Sequence, residues 1–335
     1  MDISFSKTEL EQDLLRKLKV LNETVWEKRA NAANIQDWLK NFNNTNEQIH
    51  ALYLLAQFMY FNSMQMRVLL KSLYRDLFKH NIIDEIRRSN GDTVNLDLIE
   101  QKYKEQLLDT RFIGVGNPSE SGVHLLYYFR QENRLSKQLF INAHDIFKKT
   151  SGKLEFQFPQ VKNYVFIDDF CGSGDQAELY SNKIVKYIKN LNDKVNVYYL
   201  MLFATKKGKN KVIRKTKFDK VEAVFELNNT FKCFDKHSRY FINNPKEIEI
   251  DVAKKFIGRY GEILMRSIII KEFPMLDDKI LKKLSKLYKY GYKDGQLLIG
   301  FHHNTPDNSM PIFWYDEEDI PWNPIFRRYN KKYGL

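Results

Sequence analysis

Two adjacent carboxylates follow an apolar stretch near the middle of the chain, and a loop of small residues comes after them. Residues 164–167 read Tyr-Val-Phe-Ile, Asp168 and Asp169 follow, and residues 170–176 read Phe-Cys-Gly-Ser-Gly-Asp-Gln. Carboxylates in this position can bind ribose hydroxyls or a hydrated Mg²⁺. Because glycine has no side chain, the loop backbone can approach a ligand closely. The segment therefore indicates a binding site for a sugar or a phosphate.

The elements on either side of the loop are those expected to hold it in place. The apolar run predicts a buried strand, and apolar residues at helical spacing between Ala177 and Leu191 predict a helix. The first turn of a helix offers unpaired backbone N–H groups that suit a phosphate. In open α/β sheets, ligands bind beyond the carboxyl ends of the strands. The strand, loop and helix thus predict an anion site at the edge of a sheet.

Composition limits the class of protein. The 335 residues include 54 Lys and Arg against 42 Asp and Glu, a net charge of +12, which favours nucleic acid or phosphorylated ligands. Two cysteines, Cys171 and Cys233, argue against a disulfide scaffold or a cysteine-rich zinc site. The N-terminus lacks the pattern of a signal peptide, and no apolar run approaches the roughly 18 residues of a membrane span. We expect a cytoplasmic protein without membrane contact.

Three regions follow one another along the chain. Residues 1–110 carry amphipathic helical patterns, and residues 111–228 alternate apolar strands with helices. This β-α-β order predicts an α/β fold with a parallel sheet and a Rossmann-like core. Residues 229–335 are expected to form a helical insertion, followed by a C-terminal β segment that caps the core. Within that segment, residues 301–314 predict a strand, a polar turn and a second strand.

Two further segments could contact anions. A Gly- and Ser-rich loop at residues 114–122 precedes the Asp-Asp strand, and its polar candidates are Asn117, Ser119, Ser121 and Gly122. A basic segment at residues 206–220 predicts an amphipathic helix with a solvated face, and nucleic-acid binding through this surface is the alternative.

Three families share parts of the Asp-Asp signature. A Walker B strand is excluded because the chain has no Gly-x4-Gly-Lys-Ser/Thr phosphate loop. The first motif of S-adenosylmethionine methyltransferases resembles Asp168, Phe170, Gly172 and Gly174, but the next strand lacks the acid that would bind the adenosine ribose. The sugar-phosphate motif of type I phosphoribosyltransferases resembles the whole segment, and in that family a pyrophosphate loop precedes it.

Two other strings extend the resemblance. Residues 38–42 (Trp-Leu-Lys-Asn-Phe) and 303–314 (His-Asn-Thr-Pro-Asp-Asn-Ser-Met-Pro-Ile-Phe-Trp), together with the loop, resemble the phosphoribosyltransferase-like proteins of bacterial conflict, or anti-phage defence, systems. The resemblance implies a phosphoribosyltransferase-like fold and a defence effector, with a protein partner in its system. It also implies that His303 and Asn304 turn toward the site, and Arg130 is a further candidate for a phosphate contact.

The leading hypothesis is a transferase or glycosidic-bond hydrolase that acts at C1 of a ribose 5-phosphate, either phosphoribosyl pyrophosphate (PRPP) or a nucleotide. Asp168 and Asp169 would hold the ribose and a Mg²⁺ ion. The 5′-phosphate would be bound by the loop residues Gly172, Ser173, Gly174, Asp175 and Gln176. The family's loop ends Thr-Gly-x-Thr, whereas this one ends Ser-Gly-Asp-Gln. This departure keeps open a non-catalytic nucleotide sensor or nucleic-acid-binding module, and, third, a methyltransferase.

Overall fold

The computed structural model describes residues 8–116 and 121–328, with side chains described except at 121–124. The chain forms two compact units. One unit combines Met1–Ser63 with Asn228–Leu335, and the other is Met64–Leu227. The division between the units thus falls at Ser63, inside the region 1–110 that the sequence analysis treats as one.

The secondary structure alternates helices with short strands. The strands are β1 Met59–Phe61, β2 Thr110–Gly114, β3 Phe147–Thr150, β4 Lys153–Phe156, β5 Asn163–Cys171, β6 Asn196–Thr205, β7 Lys220–Leu227 and β8 Ile299–Phe301. The α-helices are α1 Glu9–Thr24, α2 Ala32–Leu39, α3 Thr45–Leu55, α4 Ser63–Ser72, α5 His80–Ser89, α6 Leu96–Leu108, α7 Ser121–Glu132, α8 Asp175–Tyr180, α9 Lys186–Leu191, α10 Lys206–Lys215, α11 Ile250–Glu272 and α12 Asp278–Tyr288. Two π-helical segments, Leu73–Lys79 and Ser181–Val185, join α4 to α5 and α8 to α9.

The predicted α/β core with a parallel sheet and the predicted helical N-terminal region are both confirmed. Four parallel strands form one sheet in the order β2-β5-β6-β7. Strands β5 and β6 are buried along almost their whole length, as expected for central strands covered on both faces. Among the described helices, none is both long and apolar enough to cross a membrane.

A single residue adds to the edge of this sheet. Phe140 bridges Phe112 of β2 in parallel, and the Ile141 N–H donates to the Phe112 carbonyl at 3.2 Å. With this addition, the chain order across the sheet is 2-1-3-4-5. The direction of winding therefore reverses between β2 and β5, and such a reversal opens a crevice at the carboxyl ends of the strands.

Helices cover both faces of the sheet. On one face, Phe112 packs against Phe78 and Phe129, with ring centroids 5.2 Å apart in each pair. On the other face, Phe166 and Tyr199 share a buried cluster with Val185 and Val212 of the following helices. The side chains of β2, β5 and β6 alternate between these two layers. Because Phe78 packs on the sheet, the helical segment after Ser63 belongs with the α/β core.

The other unit has a helical and aromatic core. Strand β1 pairs in parallel with β8, from Met59 with Ile299 to Phe61 with Phe301. The Trp38 indole N–H donates to the Ile312 carbonyl at 2.8 Å, and its ring stacks on Phe313. The two strands are three residues long and lie far apart in the chain, so no local sequence pattern predicts their pairing.

The second strand predicted within residues 301–314 is wrong, whereas β8 ends at Phe301 and residues 307 and 308 form a turn. After β8, the chain continues through bends and turns to a 3₁₀ turn at Pro311–Phe313. Prolines 306 and 311 lack the N–H donors that a second strand would need, and β8 instead finds its partner in β1. His302 and His303 therefore do not point to opposite faces of a strand; their rings meet edge to face with centroids 4.9 Å apart.

Candidate functional site

The two predicted anion loops begin side by side. Gly114 at the end of β2 is in register with Ile167 of β5, and the Val115 N–H donates to the Ile167 carbonyl at 2.9 Å. One loop leaves β2 at this point, and Asp168 follows on the neighbouring strand. The carboxyl ends of β2 and β5 therefore bring a candidate anion loop next to the paired acids.

The structure describes only part of the first loop. Gly116 has φ 107°, a left-handed conformation that favours glycine. Asn117 and Ser119 lie outside the described residues. Ser121 and Gly122 form the start of α7. The contacts predicted for these four residues stay predictions.

Asp168 is held from two directions beneath the second loop. Its Oδ2 accepts a hydrogen bond of 2.6 Å from the Tyr199 hydroxyl, and its Oδ1 accepts one of 3.0 Å from the Asp169 N–H. Both acids are buried, at 6% and 8% exposure. Burial raises the pKa of the Asp168 carboxyl well above its ordinary value, and the neighbouring charge of Asp169 raises it further. The pair thus resists carrying two full negative charges.

Cys171 is a structural residue of this site. Its side chain is buried, and burial raises the pKa of its thiol to about 12. Since the thiolate is the nucleophilic form, this cysteine is unsuited to covalent catalysis. It belongs to the same buried cluster as Tyr199.

Asp175 of the second loop accepts hydrogen bonds from the loop itself and from α10. Gly174 precedes α8 with φ 77°, and the Ser173 hydroxyl donates to Asp175 Oδ2 at 2.6 Å. Lys211 of α10 donates to Asp175 Oδ1 at 2.5 Å and pairs with Glu178 at 2.6 Å. The carboxylate at the helix N-terminus is therefore compensated by a lysine. Gln176 is exposed at the surface of the same turn.

Helix α10 fixes the backbone of this loop. The Thr205 hydroxyl donates to the Gly172 carbonyl at 2.5 Å and accepts from the Gly208 N–H at 2.9 Å. A Cβ at Gly208 would lie 2.3 Å from the Gly172 carbonyl oxygen, so only glycine fits there without movement. The start of α10 and the loop form one packed assembly, which supports a preorganised site.

Sequence reasoning missed four supporting residues of the site, namely Tyr199, Thr205, Gly208 and Lys211. A threonine that directly precedes the first turn of a helix is a recognisable N-cap signal, so Thr205 could have been found. Tyr199 lies within a uniformly apolar strand and gave no signal. Lys211 was one lysine among many in the basic segment, where Lys209 also pairs with Glu222 and Glu226.

The secondary candidates belong to other elements of the chain. Arg130 is on α7, with its guanidinium 5.9 Å from the Tyr127 ring centroid. His303 and Asn304 belong to the other unit, where the Asn304 side chain accepts from the Thr305 N–H at 2.9 Å. Their approach to the loop stays a prediction. Within the described residues, no group of three or more His, Cys, Asp or Glu side chains could hold a metal ion.

Comparison with known proteins gives one extensive match. The family model PRTase-CE matches residues 35–328. Among solved structures, the chain is similar to the Helicobacter pylori xanthine-guanine-hypoxanthine phosphoribosyltransferase, with 16% identity, a TM-score of 0.22, and coverage of 38% of this chain and 88% of that one. No curated protein matches the chain.

Proposed function

The chain belongs to the PRTase-CE family, and from this premise we propose that it binds a ribose 5-phosphate compound and makes or breaks a bond at its C1. The observation that carries the proposal is the position of Asp168 and Asp169, near the carboxyl end of β5 and beside the reversal of winding that the Phe140–Phe112 bridge creates at β2. That position is where open α/β sheets bind ligands. PRPP and nucleotides are the substrate classes that the site would accept.

Each part of the site has a proposed role. Asp168 and Asp169 bind the ribose hydroxyls and stabilise the positive charge that develops at C1 in an oxocarbenium-like transition state. Backbone N–H groups from Gly172 to Gln176 bind the 5′-phosphate. The leaving group, which is pyrophosphate or a base, would be held by the earlier loop with Asn117, Ser119, Ser121 and Gly122.

Ligand binding would favour the ionised form of the paired acids, because positive charge that develops on the ribose lowers the pKa of a nearby carboxyl. Because burial and mutual repulsion raise the pKa of Asp168, the pair favours carrying less than two negative charges before ligand binds. The Tyr199 hydroxyl holds Asp168 in a fixed orientation. A preorganised carboxylate needs little rearrangement when positive charge develops on the ribose.

Magnesium fits only together with a phosphorylated ligand. Both oxygens of Asp168 already accept hydrogen bonds, and among the described residues no third ligand joins Asp168 and Asp169 in a group that could hold a metal ion. Mg²⁺ prefers several oxygen ligands and retains waters, so the pair would contact the ion through water while the ligand's phosphates supply the remaining oxygens. When bound, the ion would offset the negative charge of the leaving pyrophosphate.

The altered loop is expected to bind phosphate more weakly than a loop with the Thr-Gly-x-Thr sequence. Ser173 already donates its hydroxyl to Asp175, and Gln176 replaces the second hydroxyl residue. Lys211 offsets the charge of Asp175, so phosphate is not repelled outright. We propose that backbone groups do most of the phosphate binding.

The proposal is tested by measuring turnover. The protein is incubated with PRPP or with each nucleoside monophosphate, with and without Mg²⁺, and released pyrophosphate, free base and ribose 5-phosphate are separated and quantified. We expect products that require C1–O or C1–N cleavage, and their loss in an Asp168→Asn/Asp169→Asn variant. Turnover that survives this double substitution would remove the proposal.

The second candidate is a sensor that binds the same ligand without turnover, favoured by the internally satisfied Ser173. Stoichiometric binding without product would identify it. Nucleic-acid binding through the basic surface would show a steep loss of affinity with added salt, and affinity indifferent to salt would exclude it. A defence role predicts that cells carrying the intact system resist phage plating better than cells with the double Asn variant.

A further inference from the structure

A separate cavity of about 360 Å³ lies in the unit formed by Met1–Ser63 and Asn228–Leu335. It opens where the parallel strands β1 and β8 end, since His302, which directly follows β8, donates its N–H to the Phe61 carbonyl at 3.0 Å and also lines the cavity. Pockets of about 300–1,000 Å³ accommodate most small organic ligands. The cavity is thus large enough for a mononucleotide.

The charged groups of this cavity favour an anion. Arg29 and Arg327 both line it, and among the described residues of its lining there is no Asp or Glu. Within the described ranges of the chain, the exposed Arg29 side chain makes no ion pair, whereas Arg327 pairs with Asp316 at 3.4 Å. Guanidinium groups match the geometry of phosphate oxygens. Two arginines on one cavity therefore provide a phosphate-binding pair.

The rest of the lining is aromatic and amide in character. Tyr60 and Phe326 stack with ring centroids 5.1 Å apart, and Phe326 also stacks on Phe58 at 4.5 Å. Asn34 and Asn304 add side-chain amides beside these rings. Because Phe326 is stacked on both Tyr60 and Phe58, the Tyr60 and Phe326 rings present apolar edges to the cavity. The Asn34 amide offers both a donor and an acceptor to a base edge.

The wall of the cavity is fixed by internal hydrogen bonds. The Thr305 hydroxyl donates to the Phe326 carbonyl at 3.2 Å, and Arg328 donates to the Thr305 carbonyl at 2.8 Å. The Phe326 N–H donates to the Phe313 carbonyl at 2.9 Å. These bonds connect the chain segments on which the lining residues lie, so the pocket is formed before a ligand arrives. Preformed geometry reduces the entropy lost on binding.

We propose that this cavity binds a nucleoside monophosphate, with Arg29 and Arg327 on the phosphate and the aromatic and amide groups on the base. Every residue that lines it belongs to one unit and the Asp168 loop belongs to the other, so the two sites share no residue. Its occupancy therefore does not depend on the proposed activity at C1 of ribose.

The test uses the full chain with Asp168→Asn/Asp169→Asn in place, so that the first site does not contribute. Titration calorimetry with AMP, GMP, CMP and UMP, and with inorganic phosphate alone, measures the remaining binding. We expect one nucleotide per chain, and at least a tenfold weaker affinity after Arg29→Gln/Arg327→Gln. The matched control is Arg16→Gln/Arg266→Gln, which removes two exposed arginines of the same unit and should leave the affinity unchanged.

Three results would overturn this assignment. They are no nucleotide binding in the double Asn background, unchanged affinity in the Arg29→Gln/Arg327→Gln variant, or inorganic phosphate binding as tightly as every nucleotide. Because both arginines are exposed, the variant should fold, and circular dichroism checks that it does. Failure of this test would leave the proposed activity at the Asp168 site untouched.

Discussion

At the scale of single residues, the site depends on how one buried carboxyl is held. Asp168 accepts from Tyr199 and from the Asp169 backbone, and burial disfavours its ionised form. The sequence predicted the acids because polar residues at the end of an apolar strand are conspicuous. It could not predict Tyr199, since a tyrosine in an apolar strand is most simply interpreted as core.

We predict that Tyr199→Phe destabilises the protein and weakens ligand binding. The substitution leaves a buried acceptor without its donor, which costs about 1–3 kcal/mol of unfolding free energy. Urea denaturation measures the change. Tyr198→Phe is the matched control, because Tyr198 precedes it on the same strand, packs on the opposite face against Phe78 and makes no contact with Asp168. Equal effects of the two substitutions would contradict the role given to Tyr199.

Stability should also depend on pH through Asp168. Its pKa is raised in the folded protein above the ordinary value of 3.8, so the folded state binds the proton more tightly than the unfolded state. This carboxyl therefore costs stability increasingly as pH rises above about 4 and toward its folded pKa. Asp168→Asn does not titrate at this position. Its stability relative to wild type should rise between pH 4 and pH 8, and a flat difference across that range would count against the shift.

At the scale of elements, the loop after β5 is positioned by α10 as much as by its own helix. Thr205, Gly208 and Lys211 contact the loop from the start and middle of α10. The sequence predicted both helices from their apolar spacing. It could not predict their contact, which depends on how two helices pack on the same face of the sheet.

Gly208→Ala should disrupt the loop although alanine favours helices. The added Cβ would lie 2.3 Å from the Gly172 carbonyl oxygen, and such overpacking typically costs about 1–3 kcal/mol. Thermal denaturation and ligand affinity should both decline. Asn210→Ala, at an exposed position of the same helix, is the control and should change little. A Gly208→Ala variant as stable as wild type would show that the loop can move away.

Lys211→Gln tests the compensation of charge at the start of α8. Without the lysine, Asp175 and Glu178 lose the cation that they share, and a bound phosphate would meet uncompensated negative charge. We expect phosphate-ligand affinity to fall by about tenfold, equivalent to about 1.4 kcal/mol. Lys215→Gln, an exposed lysine of the same helix, removes equal charge and should have a much smaller effect.

At the scale of the whole molecule, the long apolar strands could be predicted from the sequence. Pairings between short segments that lie far apart in the chain could not. The parallel sheet followed from the β-α-β order of buried strands. The one-residue extension at Phe140 reverses the winding of the sheet, yet no periodicity accompanies it. The pairing of β1 with β8 joins segments that are only three residues long and far apart in the chain. Both features depend on tertiary packing.

The boundary between the two units does not coincide with any change in the sequence pattern. Helical patterns run without a break across Ser63, so the sequence offers no boundary there. The structure divides the chain at this point because Tyr74 and Phe78 pack on Phe112 of the sheet, whereas Trp38 packs on Phe313. Each unit therefore contains one candidate nucleotide site. Binding at either site can be abolished by substitutions in its own unit alone.

The most direct test of the central claim is calorimetric titration with PRPP, in the presence of Mg²⁺, of the chain with Asp168 and Asp169 intact, repeated with Asp168→Asn/Asp169→Asn and with the control Asp193→Asn. To isolate the first site, all three proteins would carry Arg29→Gln/Arg327→Gln. We predict saturable binding that the control retains and the double Asn variant loses by at least a hundredfold. Equal binding by all three proteins, or binding by none, would contradict a ribose phosphate site at the end of β5.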